Sequence, residues 1–195
     1  KCRGQGSPPL INQSERQRMK TCLMAAAVVC ATLASGAASA IDGVALELGR
    51  GDGTDMARIA VQSDWQKQWF RGSNWHLGGY WDLGIGQWHR GSVAPGQHED
   101  ITEIGLTPVF RLQQNDRRGL YGEAAIGFHV LSRTSIGDKR FSTAFQFGDH
   151  LGVGYRFGAK GAYDVSYRFQ HLSNGGIKSP NNGINFNQIR LQYHF

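Results

Sequence analysis

The sequence predicts an all-β protein, an eight-stranded antiparallel transmembrane β-barrel, and three observations carry that expectation. Apolar and polar residues alternate with period two in segments of about ten residues, the pattern of a strand with one face in hydrocarbon. Turn-forming residues separate the segments. Charge falls almost only on one parity of each segment, as a polar barrel interior requires.

The reading places an upstream segment at residues 1–18, polar and carrying Pro8-Pro9, outside the fold. From Met19 a charged start is followed by an apolar run from Cys22 to Leu33 and by Ala38-Ser39-Ala40. A charged n-region, an apolar h-region and an A-x-A site describe a secretory signal peptide over 19–40, cleaved after Ala40. A transmembrane helix is the competing reading, but the run is shorter than the roughly 20 residues a span needs. The barrel is then assigned to 41–195.

The first four segments, near 44–49, 57–65, 77–88 and 101–112, alternate loosely, yet Glu47, Arg58, Asp82, Glu103 and Arg111 share one parity. In the fifth, Ala124, Ile126, Phe128 and Val130 oppose Glu123, Gly127 and His129; in the sixth, Leu151, Val153, Tyr155 and Phe157 oppose His150, Gly152, Gly154 and Arg156. The seventh sets Val165, Tyr167, Phe169 and His171 against Asp164, Ser166, Arg168 and Gln170. The eighth sets Asn187, Ile189, Leu191, Tyr193 and Phe195 against Gln188, Arg190, Gln192 and His194. An eight-stranded interior is filled by side chains, so its charges are expected to pair with one another. A soluble barrel is the alternative; it would turn the apolar parity inward. With a periplasmic N-terminus, the connections near 51–55, 89–99, 132–143 and 172–184 face outward.

Composition excludes several functions. All three cysteines, Cys2, Cys22 and Cys30, precede residue 41, which leaves no disulfide framework or thiolate metal site in the barrel segment. Residues 1–40 hold five of the Lys/Arg and one Glu, so the remainder carries 16 basic and 14 acidic residues, a net of +2. Nothing in that balance points to a nucleic acid partner. No calcium-type carboxylate loop or His-rich spacing appears, and a chain without metal or cofactor is expected.

The stretch from Gln170 to Asn185 carries the chemistry. His171 keeps the lipid-facing parity of Val165, Tyr167 and Phe169, where an imidazole has no packing role, and ionisable groups at a membrane point to function. Ser173, two residues on, shares that parity, and a hydroxyl beside a His base is the minimum for an activated nucleophile. Arg133, Lys139, Arg140 and Lys178 fall in outward connections where they could meet phosphate groups. A tight turn near 157–163 would bring Asp149 opposite His171 on the same face.

The motif His171-x-Ser173-Asn174-x-Gly176, followed by Pro180-Asn181-x-Gly183-Ile184, resembles the signature of the lipid A 3-O-deacylase (PagL) family of outer-membrane enzymes. The similarity extends along the barrel segment, through Ile136-Gly137-Asp138 and Phe147-Gly148-Asp149. The resemblance implies hydrolysis of the acyl ester at the 3-position of lipid A in a Gram-negative outer membrane. It implies His171 as base, Ser173 as nucleophile, and Asn174 and Gly176 as contributors to an oxyanion hole. It also implies lipopolysaccharide as partner, no cofactor, and a homodimer as one assembly open to the chain. The acidic member of the family's triad falls on Asn185, a departure: an amide can orient an imidazole, but in a serine protease the Asp-to-Asn change costs about 10⁴ in rate. Asn185 and Asp149 therefore stand as rival third members. The competing functional readings are a non-enzymatic barrel, structural or adhesin-like, and an acyltransferase or phospholipase barrel.

Overall fold

The computed structural model of the protein describes residues 41–91 and 93–195. The upstream segment and the signal peptide expected over 1–40 lie outside the described residues. Ten strands follow in order: β1 (Gly43–Gly51), β2 (Thr54–Asp64), β3 (Trp75–His89), β4 (Asp100–Gln114), β5 (Gly119–Leu131), β6 (Ser135–Ile136), β7 (Lys139–Arg140), β8 (Phe145–Phe157), β9 (Tyr163–Ser173) and β10 (Ile184–His194). Eight of them close an antiparallel barrel in the order β1-β10-β9-β8-β5-β4-β3-β2, while β6 and β7 form a separate small hairpin. Closure pairs the first strand with the last, from Gly43 opposite His194 to Arg50 opposite Asn187. Among the described residues the barrel sheet has no unpaired edge, which is the condition for a sheet to cross hydrocarbon.

The alternation sorts side chains as the sequence predicts. Leu151, Val153, Tyr155 and Phe157 face outward, and so do Ile189, Leu191 and Tyr193. Gln188, Arg190, Gln192 and His194 are buried inside. Aromatic rings gather at the ends of the apolar band: Tyr155, Phe157, Tyr163, Tyr193 and Phe195 form a chain of neighbours at one rim. Such girdles mark the two water interfaces of a membrane barrel.

The interior has two layers. At mid-height an ionic network fills the lumen. Arg58 bonds Glu47 at 2.9 Å and Asp82 at 2.6 Å, Arg190 pairs with Glu47 and with Asp82, and Arg168 bonds Glu123 at 2.6 Å and Glu47 at 3.2 Å. Above it lies an apolar plug of Met56, Trp88, Ile101, Leu131, Ile136, Phe141, Leu172, Ile184 and Phe186. Trp88 Nε1 donates to Glu103 Oε2 at 3.3 Å and joins the two layers.

All eight expected segments are barrel strands, most of them longer than the alternation alone indicates; β3 and β4 have 15 residues each. The β6–β7 hairpin is not foreseen by the periodicity, because two-residue strands are too short to show a period. It lies within the 132–144 connection and contributes Ile136 to the plug. The connections 52–53, 90–99, 132–144 and 174–183 meet at the plugged rim.

Candidate active site

Strand β9 reaches the plugged rim with Tyr167, Phe169, His171 and Ser173 on its outward face, and the burial pattern changes from exposed to half-buried at His171 and Ser173. Between them Leu172 is buried in the plug, so the hydroxyl and the imidazole stand on a strand segment anchored from behind. His171 is flanked on both sides. Across the β9–β10 pairing it faces Asn185, and across β8–β9 it faces Asp149. Directly opposed residues on one sheet face hold their Cβ atoms about 4.5–5.5 Å apart, so both rival third members are neighbours of the imidazole.

The hydrogen bond goes to the amide. Asn185 Oδ1 lies 2.7 Å from His171 Nδ1, and Asp149 makes no hydrogen bond to His171 among the described residues. With Nδ1–H donating to that oxygen, Nε2 keeps its lone pair, the acceptor a serine hydroxyl needs. The turn after β9 packs against the ring: Gly183, at φ +62, is so close that a Cβ there would lie 2.8 Å from His171 Cε1. Only glycine meets both conditions, the left-handed backbone and the contact.

Asn174 is fully buried and organises the 174–183 connection. Its Nδ2 donates to the carbonyls of Phe141 at 2.8 Å and Lys178 at 2.7 Å, and its Oδ1 accepts the Gly176 N–H at 2.9 Å. The Asn174 N–H donates to Asn181 Oδ1 at 3.1 Å. The N–H groups of both residues assigned by resemblance to the oxyanion hole are thus engaged within the turn. Gly175, between them, has φ +63 and its N–H has no acceptor among the described residues.

The basic residues separate by environment. Arg133 Nη1 approaches His98 Nδ1 at 2.6 Å, whereas Lys139 is paired with Asp52 at 3.1 Å and donates to Gly183 O at 3.4 Å. Arg140 and Lys178 are exposed beside the turn. Asp52, passed over by the sequence reading, bonds the Asn185 N–H at 3.0 Å. Burial pushes its carboxyl up, but the Asn185 N–H and the Lys139 ammonium outweigh that and hold it below the ordinary carboxylate value. Its signal in the sequence is slight, an Asp-Gly turn between two alternating segments.

On the outward face, a short way along the strands from His171, Leu48, Arg50, Tyr167, Asn187 and Ile189 line an open groove of about 310 Å³. No cluster of three or more His, Cys, Asp or Glu side chains suited to a metal occurs among the described residues.

Comparison with known proteins agrees with the barrel fold and with the family resemblance. A family model described as Lipid A 3-O-deacylase (PagL) matches residues 55–194. The lipid A deacylase PagL of Bordetella bronchiseptica is 35% identical over 179 residues, covering 87% of this chain and 91% of that one. The lipid A deacylase PagL of Pseudomonas aeruginosa is 36% identical over 128 residues, 65% of this chain and 70% of its own length. A crystal structure of the outer membrane enzyme PagL superposes with a TM-score of 0.69 at 27% identity, covering 78% of this chain and 99% of the other.

Proposed function

The chain belongs to the lipid A 3-O-deacylase (PagL) family, and from that premise we propose that it hydrolyses the 3-O-acyl ester of lipid A in the outer membrane by a Ser173/His171 mechanism. The observation that carries the mechanism is the His171–Asn185 hydrogen bond on the lipid-facing side of the barrel, with Ser173 next on the same face.

In this reading His171 Nε2 takes the Ser173 proton as Oγ attacks the ester carbonyl carbon, and the imidazolium then returns the proton to the departing sugar 3-oxygen. Water, deprotonated by the same ring, hydrolyses the acyl-serine and releases the fatty acid. Asn185 Oδ1 keeps the ring in the tautomer that can accept. The Asn174-braced turn supplies the developing oxyanion with the unengaged Gly175 N–H, and such a donor contributes because it is aimed before the charge develops. The groove between Leu48, Tyr167 and Ile189 suits an acyl chain, since it is apolar, open to lipid and continuous with the face that carries Ser173. Arg140 and Lys178 stand where the phosphates of a lipid A headgroup would meet the rim. Asp149, exposed on the other side of His171, is the alternative orienting group; full activity of Asp149→Asn would remove it.

The test is mass spectrometry of lipid A from cells expressing the chain beside cells expressing Ser173→Ala. Loss of one 3-hydroxyacyl group with the intact chain alone is the expected result. Deacylation that persists in Ser173→Ala would overturn the serine mechanism. Unchanged lipid A from both, with the barrel folded in the outer membrane, would favour a non-enzymatic barrel.

A further inference from the structure

An amide oxygen orients an imidazole without lending it charge, so the placement of Asn185 matters more here than it would for a carboxylate held to the ring by charge. The side chain of Asn185 has no hydrogen bond among the described residues other than the one to His171. What fixes that side chain is therefore its backbone, and the backbone is held by the turn between β1 and β2.

Asp52 and Gly53 have φ +51 and φ +74, consecutive left-handed residues of a two-residue hairpin turn. Asn-Gly suits such a turn as well as Asp-Gly does, so the turn alone does not call for a carboxylate. The preceding Gly51 presses on Asn185: a Cβ there would lie 1.7 Å from the Asn185 carbonyl oxygen. On the other side of the same residue, Asp52 Oδ2 accepts the Asn185 N–H at 3.0 Å. That oxygen also lies 3.1 Å from Lys139 Nζ, and Lys139 in turn donates to the carbonyl of Gly183, the residue packed on the His171 ring. Arg90 secures the turn, donating to Asp52 O at 3.0 Å and pairing with Asp138 at 2.8 Å, next to Lys139.

We propose that Asp52 and Lys139 are positioning residues of the hydrolytic site: together they hold the 183–185 backbone so that Asn185 Oδ1 meets His171 Nδ1. The proposal rests on the Ser173/His171 reading above. Neither residue hydrogen-bonds the ring among the described residues; both act through Asn185 and Gly183. The imidazole's hydrogen bond goes to an amide, and a carboxylate on a neighbouring connection sets the geometry of that amide.

The experiment compares acyl release from lipid A by the full barrel in detergent micelles for wild type, Asp52→Ala, Asp52→Gly, Lys139→Met, Asn185→Ala, the Asp52→Ala/Asn185→Ala double variant and Ser173→Ala. Folding is checked for each by retention of the compact barrel in cold SDS. Asp52→Ala is expected to lower kcat about 10- to 100-fold, the range for residues that orient a catalytic group, with KM changed less than about twofold. The double variant is expected to be no slower than Asn185→Ala alone, because two residues acting through one contact do not multiply. Lys139→Met is expected to follow Asp52→Ala with a smaller loss. A wild-type kcat in Asp52→Ala, or losses that multiply in the double variant, would overturn the proposal. Should Asp52→Ala not fold, Asp52→Gly, which suits the left-handed turn and removes the acceptor, carries the test alone and with Asn185→Ala: a kcat loss that vanishes in the Asn185→Ala background upholds the proposal, and an unchanged kcat overturns it. Ser173→Ala separates the two levels. An inactive Ser173→Ala beside a fully active Asp52→Ala defeats the positioning role alone, whereas an active Ser173→Ala defeats the serine mechanism on which it stands.

Discussion

The two layers of the barrel interior solve the same filling problem in opposite ways. At mid-height, Glu47, Asp82, Glu103 and Glu123 meet Arg58, Arg111, Arg168 and Arg190 in a network with every member buried. At the rim bearing His171, the inward positions are Met56, Trp88, Ile101, Leu172, Ile184 and Phe186. A buried ion pair gives stability only while each partner keeps its counter-charge, and losing one leaves an orphan. An apolar plug holds by close packing and responds to lost volume. The ionic layer therefore supports the barrel as a whole, while the plug fixes the backbone on which Leu172 sits between His171 and Ser173. The proposed site stands over the layer whose rigidity comes from packing.

Variants that break one layer at a time sharpen that contrast. The largest effect is expected at the rim surface: His171→Ala removes the proposed base and should cut acyl release by about 10⁴-fold or more, with the folded fraction unchanged on gels. Glu47→Gln leaves Arg58, Arg168 and Arg190 short of a counter-charge and should destabilise the barrel by about 3–5 kcal/mol in urea unfolding. The molecules that remain folded should keep near wild-type turnover. Leu172→Ala in the plug should cost about 2–5 kcal/mol and, unlike Glu47→Gln, should also lower turnover per folded barrel, since it empties the space behind the site. Equal turnover in these last two variants would dissolve the distinction between the layers. The smallest effect concerns pH. Asp52 has its carboxyl lowered in the folded protein, so its contribution is complete above the ordinary value of 3.8 and is lost as pH falls through the lower folded value. The gap in melting temperature between wild type and Asp52→Asn, worth at most about 1 kcal/mol for a partly exposed pair, should stay constant from neutral pH to mild acid and close only in strong acid.

Much of this was legible in the sequence, because period two is local. A pleated strand sends successive side chains to opposite faces, so Gln188, Arg190, Gln192 and His194 had to share a side wherever β10 lay. The same parity put His171 and Ser173 on the outward face. The apolar plug was less legible: Trp88 and Phe186 occupy inward positions where a polar lumen was expected, and their reason, the loops closing over that rim, is not a local property. Asn185 could be named because the family's acidic triad position falls on it, and Asp149 because a tight turn puts it opposite His171, but alternation alone cannot choose between them. Side-chain geometry chose Asn185 for the hydrogen bond, with Oδ1 at 2.7 Å from the ring.

Asp52 marks the limit of such reading. It lies 133 residues from Asn185 in the chain, in a turn whose composition explains itself without a partner. The sequence by itself determined the strand count, the inward and outward faces and the face that bears the Ser/His pair, since each follows from the spacing of residues along one strand. Only the tertiary structure decided what braces that pair. Closing β1 onto β10 and folding the β6–β7 hairpin over the rim bring Gly51, Asp52 and Lys139 to the backbone of Asn185 and Gly183, and contacts made by barrel closure leave no period in the chain to be read.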